Sequence, residues 1–451
     1  MWRHLFSLVG LIPGWFVAVS VAQVELNGAV SVDYRVRTHG AHRLTWNENR
    51  LDIKLKSQLS PKASAYGELW VRNFGFPRAT SLENLQVRDR SFVQPWAVEL
   101  REGYLSLYGF PLPGLDLRIG KQRIAWGTAD KINPTDNLNP KDFEDPLDFG
   151  RKLPVNALRL TAYVGNWAVD AAYVPVFTPA VLPPADWRLG PDLMPGVGRD
   201  GTYSKLQTVL HAPASTLRDG ANLGLRITTS VWGYDVSASY AYTRDDLPVP
   251  AMTRIEIQPQ GPPQVTTTLV YPRQHVVGMD VAGEISEVGL WAEAAAFLPE
   301  REVRMRTWLS AGSAPPRLIS EELVLPREVY VKYVVGADYT WPGGIYWNAQ
   351  FIHGFYGERG RKDLENYLLV AVERKFRHEV LKIRLAGLLG TPQVRRARSC
   401  HTRIVLPEIS LYPSDGVELV LGGYWIAARG PTTLSGFAGN DELFLKVRVS
   451  F

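Results

Sequence analysis

Beyond residue 23 the chain alternates apolar and polar residues, segment after segment, and no later stretch stays apolar for the ~18 residues a membrane helix needs. Val30, Val32, Tyr34 and Val36 alternate with Ser31, Asp33, Arg35 and Arg37; Leu51, Ile53 and Leu55 alternate with Asp52, Lys54 and Lys56. Leu115, Leu117 and Ile119 alternate with Asp116 and Arg118, and Val329 to Tyr339 repeats the pattern around Lys332 and Asp338. A strand sends successive side chains to opposite faces, so this period means one apolar and one polar face. Charges that recur on the second face are costly in a dry core and natural where that face meets water. A chain built this way can span a membrane only as a closed barrel.

The pattern predicts strands near 24–37, 50–59, 62–74, 96–108, 115–124, 157–165, 167–175, 220–231, 233–243, 272–285, 288–298, 329–340, 345–355, 364–375, 379–389, 402–411, 416–427 and 442–451. That is about 18, an even number, as single-chain bacterial barrels require. Pro407 sits awkwardly within its segment, because proline cannot donate to a ladder. The connections alternate short and long. Ser60-Pro61, Gly165-Asn166, Trp232-Gly233 and Pro342-Gly343-Gly344 are short; 38–49, 75–95, 125–156, 176–219, 244–271 and 299–328 are long. Short periplasmic turns and long extracellular loops give this rhythm, with both termini on the periplasmic side. A soluble sandwich has no reason to keep it. Trp96, Tyr108, Trp126, Trp167, Trp232, Trp341 and Trp347 lie near strand ends and read as an interfacial girdle.

The first 22 residues have a weakly basic start at Arg3 and His4 and a mostly apolar stretch from Leu5 to Val21. Ser20-Val21-Ala22 is a small-x-small site. This layout predicts an export signal cleaved after Ala22, leaving 23–451 as the barrel. The single cysteine, Cys400, allows no internal disulfide. The net charge of +5 is spread along the chain, without the clustered cations of a nucleic-acid partner. Gly196-x-Gly198-x-x-Gly201 matches a dinucleotide fingerprint by letter, but it lies in a proline-rich loop and opens no helix. No G-x-S-x-G or H-E-x-x-H occurs, so the expectation is a protein that is not an enzyme and holds neither cofactor nor metal.

One run is distinctive: Glu102-Gly103-Tyr104-Leu105-Ser106-Leu107, Gly120-Lys121-Gln122, Trp126-Gly127, Ala129-Asp130 and Asn133-Pro134-Thr135-Asp136-Asn137-Leu138-Asn139-Pro140. It resembles a group of proteobacterial outer-membrane porin-like proteins that share a G-(K/R)-Q…W-G…D…N-P-x-D segment. More loosely, it is similar to the alginate-export and specific-porin class of 18-stranded barrels. Gly103 departs from the alanine expected in that run. The resemblance implies a barrel and transport, and names no solute. Leu443, Leu445, Val447, Val449 and Phe451 on one face resemble the final-strand signal read by the outer-membrane assembly machinery.

The third long loop, 125–156, is rich in Pro, Asn and Asp, which fix turns. The expectation is that it folds inward and narrows the lumen. Its acids Asp130, Asp136, Asp142, Glu144, Asp145 and Asp148 would then face wall cations drawn from Arg35, Lys54, Arg72, Arg118, Arg226, Lys332, Arg384, Lys446 and Arg448. Opposed charges across a narrow wet gap select by charge and dipole. Two other readings stand beside this. The acids cap turns and contact lipopolysaccharide-bound cations outside, or the wall cations form ordinary lumen salt bridges. The expected function is passage of small, anionic or amphipathic solutes across the outer membrane, among lipid and lipopolysaccharide, in a possible homotrimer. A barrel component of an export or envelope-assembly machine is the alternative.

Overall fold

A computed structural model describes residues 23–86, 90–184, 186–187, 205–312 and 314–451. The export segment at 1–22 and the Gly196-x-Gly198-x-x-Gly201 run lie outside the described residues. In chain order the strands are β1 (Gln23–Arg37), β2 (Leu44–Ser60), β3 (Ala63–Phe74), β4 (Trp96–Leu107), β5 (Leu115–Gln122), β6 (Val155–Val164), β7 (Trp167–Val174), β8 (Lys205–His211), β9 (Asn222–Val231), β10 (Tyr234–Arg244), β11 (Val249–Ile257), β12 (Gln264–Val270), β13 (Arg273–Ile285), β14 (Val288–Pro299), β15 (Val303–Ala311), β16 (Arg317–Leu325), β17 (Tyr330–Thr340), β18 (Ile345–His353), β19 (Asn366–Phe376), β20 (Leu381–Thr391), β21 (His401–Ser414), β22 (Val417–Arg429) and β23 (Glu442–Ser450). Eighteen of them form one antiparallel sheet in which each strand pairs with its neighbours along the chain, skipping β8, β11, β12, β15 and β16. The last strand returns to the first, with Val30 opposite Val449 and Tyr34 opposite Leu445, so the sheet closes.

Closure sorts the two faces as the alternation demands. Val30, Tyr34, Leu55, Val331, Val335, Leu443 and Leu445 are 38–52% exposed, while Arg35 is 2% exposed and Lys332 9%. Leu51, Ile53, Leu117, Val331 and Val447 share no buried interior cluster. A closed barrel with its large apolar side chains outward is a surface suited to lipid. Trp96, Trp167, Trp232 and Trp341 are exposed as a girdle requires, but Trp126 is 2% exposed and points inward, a correction taken up below.

Each of the 18 expected segments is a barrel strand. Pro407 stands inside β21 opposite Leu385 of β20. On the other side, the pairing with β22 lapses between Val405↔Trp425 and Glu408↔Gly422, where the missing donor falls. The long connections expected at 176–219, 244–271 and 299–328 are not plain loops. They contribute β8, β11, β12, β15 and β16 to a second sheet in the order β16-β15-β11-β12-β8. Within it β11 pairs β15, and β12 pairs β8, in parallel.

Candidate functional site

The chain leaves the wall at Gln122 and rejoins it at Val155. Between these points it packs against inward-facing residues on two sides of the barrel. Ile124, Trp126 and Leu138 lie with Ala157, Ala172, Ala241, Val276 and Ala295, which belong to β6, β7, β10, β13 and β14. Ile132, Phe143 and Phe149 lie with Val334, Ile352, Tyr367, Leu388, Ile404, Tyr424 and Phe444, from β17 to β23. The wall is thinned to admit the first group. A Cβ at Gly224 would sit 2.4 Å from the Trp126 ring, and one at Gly278 would sit 2.5 Å from Thr135 Cγ2. That is why Trp126 is buried although its place near a strand end suggested the girdle: the small residues facing it leave room for an indole inside.

One wall carboxylate holds the start of this segment. Glu293 of β14 is 2% exposed. Its Oε2 accepts from the backbone N–H of Thr128 and Ala129, each at 3.0 Å, and from Asn133 Nδ2 at 3.2 Å. Its Oε1 accepts from the Thr135 backbone N–H and from Thr135 Oγ1, both at 2.7 Å. Gly127, at φ +88°, passes so close that a Cβ there would lie 2.4 Å from Glu293 Oε2. Sequence reasoning paired loop acids with wall cations and so overlooked a wall acid bound to loop amides. The signal was present in Trp291-Ala292-Glu293-Ala294-Ala295-Ala296-Phe297, where Glu293 is the lone charge in an otherwise uncharged strand run.

The segment's other end carries the ion pairs. Arg35 donates from Nη2 to Asp145 Oδ2 at 2.6 Å and from Nη1 to Oδ1 at 3.0 Å, a two-point contact that Asp33 completes at 2.7 Å. Arg72 reaches Glu144 at 2.9 Å, Glu48 at 3.1 Å and Glu99 at 3.4 Å. Asp142 meets Arg151 at 2.8 Å and Arg101 at 3.8 Å. Arg50 and Arg101 stack over the Trp70 ring at 4.3 and 4.1 Å. The expected acids therefore divide. Glu144 and Asp145 reach expected wall cations. Asp142 meets Arg101 and Arg151, which sequence reasoning did not single out. Asp136 pairs with Arg123 of its own segment and lies 4.0 Å from Lys152. Asp148 pairs with Lys131 at 3.1 Å, and Asp130 is exposed with no ion pair among the described residues.

The expected cations divide as well. Arg226 bonds Asp280 at 3.1 Å and Arg384 bonds Glu408 at 3.1 Å, both wall to wall. Lys446 lies 3.7 Å from Asp33. Lys332 donates to the Phe355 carbonyl at 2.7 Å. For Arg226, Arg384 and Lys446 the ordinary lumen-bridge reading describes the geometry, whereas Lys332 makes no ion pair among the described residues. Arg118 bonds the Ser106 hydroxyl at 3.3 Å and stacks over Tyr104 at 4.4 Å. Lys54 and Arg448 make no ion pair among the described residues.

A second clasp joins 354–365 to 430–441. Glu358 accepts from the backbone N–H of Phe355 at 2.8 Å and of Glu365 at 2.9 Å, and from Thr433 Oγ1 at 2.6 Å. Glu365 accepts from the Thr433 backbone N–H at 3.0 Å, and the Tyr367 hydroxyl meets both carboxylates. Burial, and then Glu358 beside it, push the Glu365 carboxyl up to about 7, against its bonds from Thr433 and Tyr367. The folded state thus keeps a proton that the unfolded segment releases, from its ordinary 4.5 up to about 7. The clasp is strongest at the acid end of that window and weakens as pH rises through it. Protection factors across 354–365, corrected for the base-catalysed intrinsic exchange rate, should be lower at pH 8 than at pH 5, and Glu365→Gln should flatten the difference. An unchanged pH dependence in that variant would assign the effect to another group.

No protein-family model matches the sequence, and no curated protein matches it. Solved structures do match in shape. Pseudomonas aeruginosa OccK8 (OprE) superposes with a TM-score of 0.51 at 11% identity, over 95% of this chain and 98% of that one. Acinetobacter baumannii OccAB1 gives 0.51 at 8%, over 96% and 97%. Pseudomonas aeruginosa OpdK with vanillate gives 0.50 at 9%, over 95% and 98%. At this identity the likeness speaks for architecture: the chain has the closed 18-stranded barrel fold of these proteins.

Proposed function

We propose that the chain is a porin-like channel of the Gram-negative outer membrane that passes small solutes through a lumen narrowed by 125–156, with a preference for anionic or amphipathic ones. The observation that carries the preference is a set of inner-face cations that make no ion pair among the described residues. Lys54 and Arg448 have no ion pair among the described residues, and Arg118 bonds a neutral hydroxyl. The balanced pairs above them, Arg35–Asp145 and Arg72–Glu144, support a segment fastened by charge, with opposed signs across a wet gap. The reading brings partners with it: lipid and lipopolysaccharide around the wall, the assembly machinery at Leu443–Phe451, and a homotrimer.

Purified protein in a planar bilayer should give discrete conductance steps. A potassium chloride gradient should give a reversal potential on the chloride side. The triple variant Lys54→Glu, Arg118→Glu, Arg448→Glu should move it toward potassium. Absence of steps at any voltage would overturn the channel, and an unmoved reversal potential would overturn the assignment of these three cations.

A further inference from the structure

The wall is uneven in height, and the unevenness is sharpest where β4 meets β5. β4 has 12 residues and pairs with β3 along its length, from Ala63↔Leu107 to Asn73↔Trp96. Its pairing with β5 covers only Gly103 to Leu107. β5 has 8 residues and ends at Gln122, where the chain turns inward. Trp96–Glu102 therefore has no strand partner on its β5 side. At ~3.3 Å per residue, β5 runs about 26 Å, or roughly 20 Å of height at a tilt near 40°, short of the ~25 Å apolar band of such barrels. On the porin-like reading the long-loop end is extracellular, which puts this unpartnered stretch toward the outer leaflet. An unpaired strand edge at that depth is tolerated only where it is covered by protein or lines water.

The residues at its lips mix an apolar rim with charge. On the outer face of β4, Trp96, Val98 and Leu100 are 61%, 52% and 50% exposed. On β5, Lys121 sits opposite Gly103 of β4 and Asn156 of β6, in phase with the outward residue Ile119. An outward lysine is expensive toward lipid. Lys121 nevertheless lies within electrostatic reach of Arg101 and Glu99, which belong to the lumen cluster around Trp70. Arg101 stands at the β-bulge where the β3–β4 register slips between Glu68 and Leu69, and its guanidinium reaches the Lys152 carbonyl at 3.3 Å. Lys121 on the outer face and Arg101 on the lumen side thus flank the stretch where β4 has no strand partner.

We propose that this gap is a lateral portal, through which single-tailed amphipathic anions pass between the lumen and the outer leaflet. The anionic head moves from Lys121 to Arg101, while the tail lies along Trp96, Val98 and Leu100. The inference rests on the lumen being a solute passage, and its test is separable from that reading.

The test uses the full chain reconstituted in bilayers and a dodecanoate carrying a diazirine near the tail end. Photolabelling should concentrate on Trp96–Leu100 over the far-wall residues Val331 and Val335, and unlabelled dodecanoate should compete it away. Lys121→Glu should cut this labelling at least fivefold and slow dodecanoate flux by a similar factor, while Lys121→Arg restores both. Small-ion conductance should change far less than dodecanoate flux in both variants, because the Lys121 side chain is on the outer face. Uniform labelling around the barrel, labelling that dodecanoate does not compete (a resident lipid), or equal loss of dodecanoate flux and small-ion conductance would each overturn the portal. If conductance is absent but the portal labels as expected, the channel reading fails and the binding site stands.

Discussion

Glu293→Ala should release residues 125–156 from the β14 wall and raise single-channel conductance severalfold. Five donor atoms of the segment converge on this one carboxylate, and four of them lie within 3.0 Å. Hydrogen bonds to a charged group contribute about 1.5–3 kcal/mol each, and a set sharing one acceptor does not add in full. A net loss on the order of 4 kcal/mol is a reasonable scale. At 1.4 kcal/mol per tenfold, the undocked population would rise about a thousandfold. The backbone N–H groups of Ala129 and Thr135 are buried and make no other hydrogen bond among the described residues, so alanine leaves them bare rather than re-paired. Glu293→Gln should fall between, since it keeps one carbonyl acceptor but turns an NH2 group toward donors. Bilayer recording reads the conductance, and limited proteolysis within 125–156 reads the release. Conductance and cleavage both unchanged in the alanine variant would mean that the aromatic packing alone holds the segment.

The barrel was legible because each strand had to satisfy two different solvents. Lipid outside and water inside force the period seen at Val30–Arg37, and a one-residue slip would bury every charge in lipid. The second sheet met no such demand. β16 reads Arg317-Leu318-Ile319-Ser320-Glu321-Glu322-Leu323, and both of its faces are exposed over most of its length, so nothing sorted it by face. Two of that sheet's pairings are parallel and join segments distant in sequence, which no local turn announces. The hairpin of β15 with β16 falls in 299–328, expected to be a plain connection; Val303 and Met305 alternate with Arg304 and Arg306, but Thr307 and Trp308 reverse the order. At the site, acids and cations could be enumerated from sequence but not matched. Asp136 and Asp142 were expected to face the wall, yet their shortest ion pairs are to Arg123 and Arg151, 13 and 9 residues away in the chain. Local partners cost less loop entropy to bring together than distant ones.

The Arg35–Asp145 contact is the counterpart of Glu293 at the far end of the segment, and it should behave differently under mutation and under acid. Burial pushes the Asp145 carboxyl up, but the Arg35 guanidinium outweighs it and holds the carboxyl well below the usual carboxylate range. A depressed value in the folded state means the contribution is complete above the unfolded carboxylate's ~3.9 and is lost only as pH falls through the depressed value. Docking at this end should therefore hold unchanged from pH 7 to pH 5, where the Glu365 clasp is tightening. Asp145→Ala leaves a guanidinium with 3% side-chain exposure and Asp33 as its remaining ion-pair partner among the described residues, and removing one member of a buried pair costs about 3–5 kcal/mol. Arg35→Ala strands Asp145 in the same way. The double variant removes both charges and should recover much of that loss, giving a coupling of about 3 kcal/mol in a urea-unfolding cycle. Additive single losses would assign the two residues to separate jobs, with Arg35 acting through its stack on Trp46 at 4.4 Å rather than through the loop. With coupling present, either single variant should also shift the reversal potential in opposite senses, Asp145→Ala toward chloride and Arg35→Ala toward potassium, because each unmasks the charge its partner had neutralised.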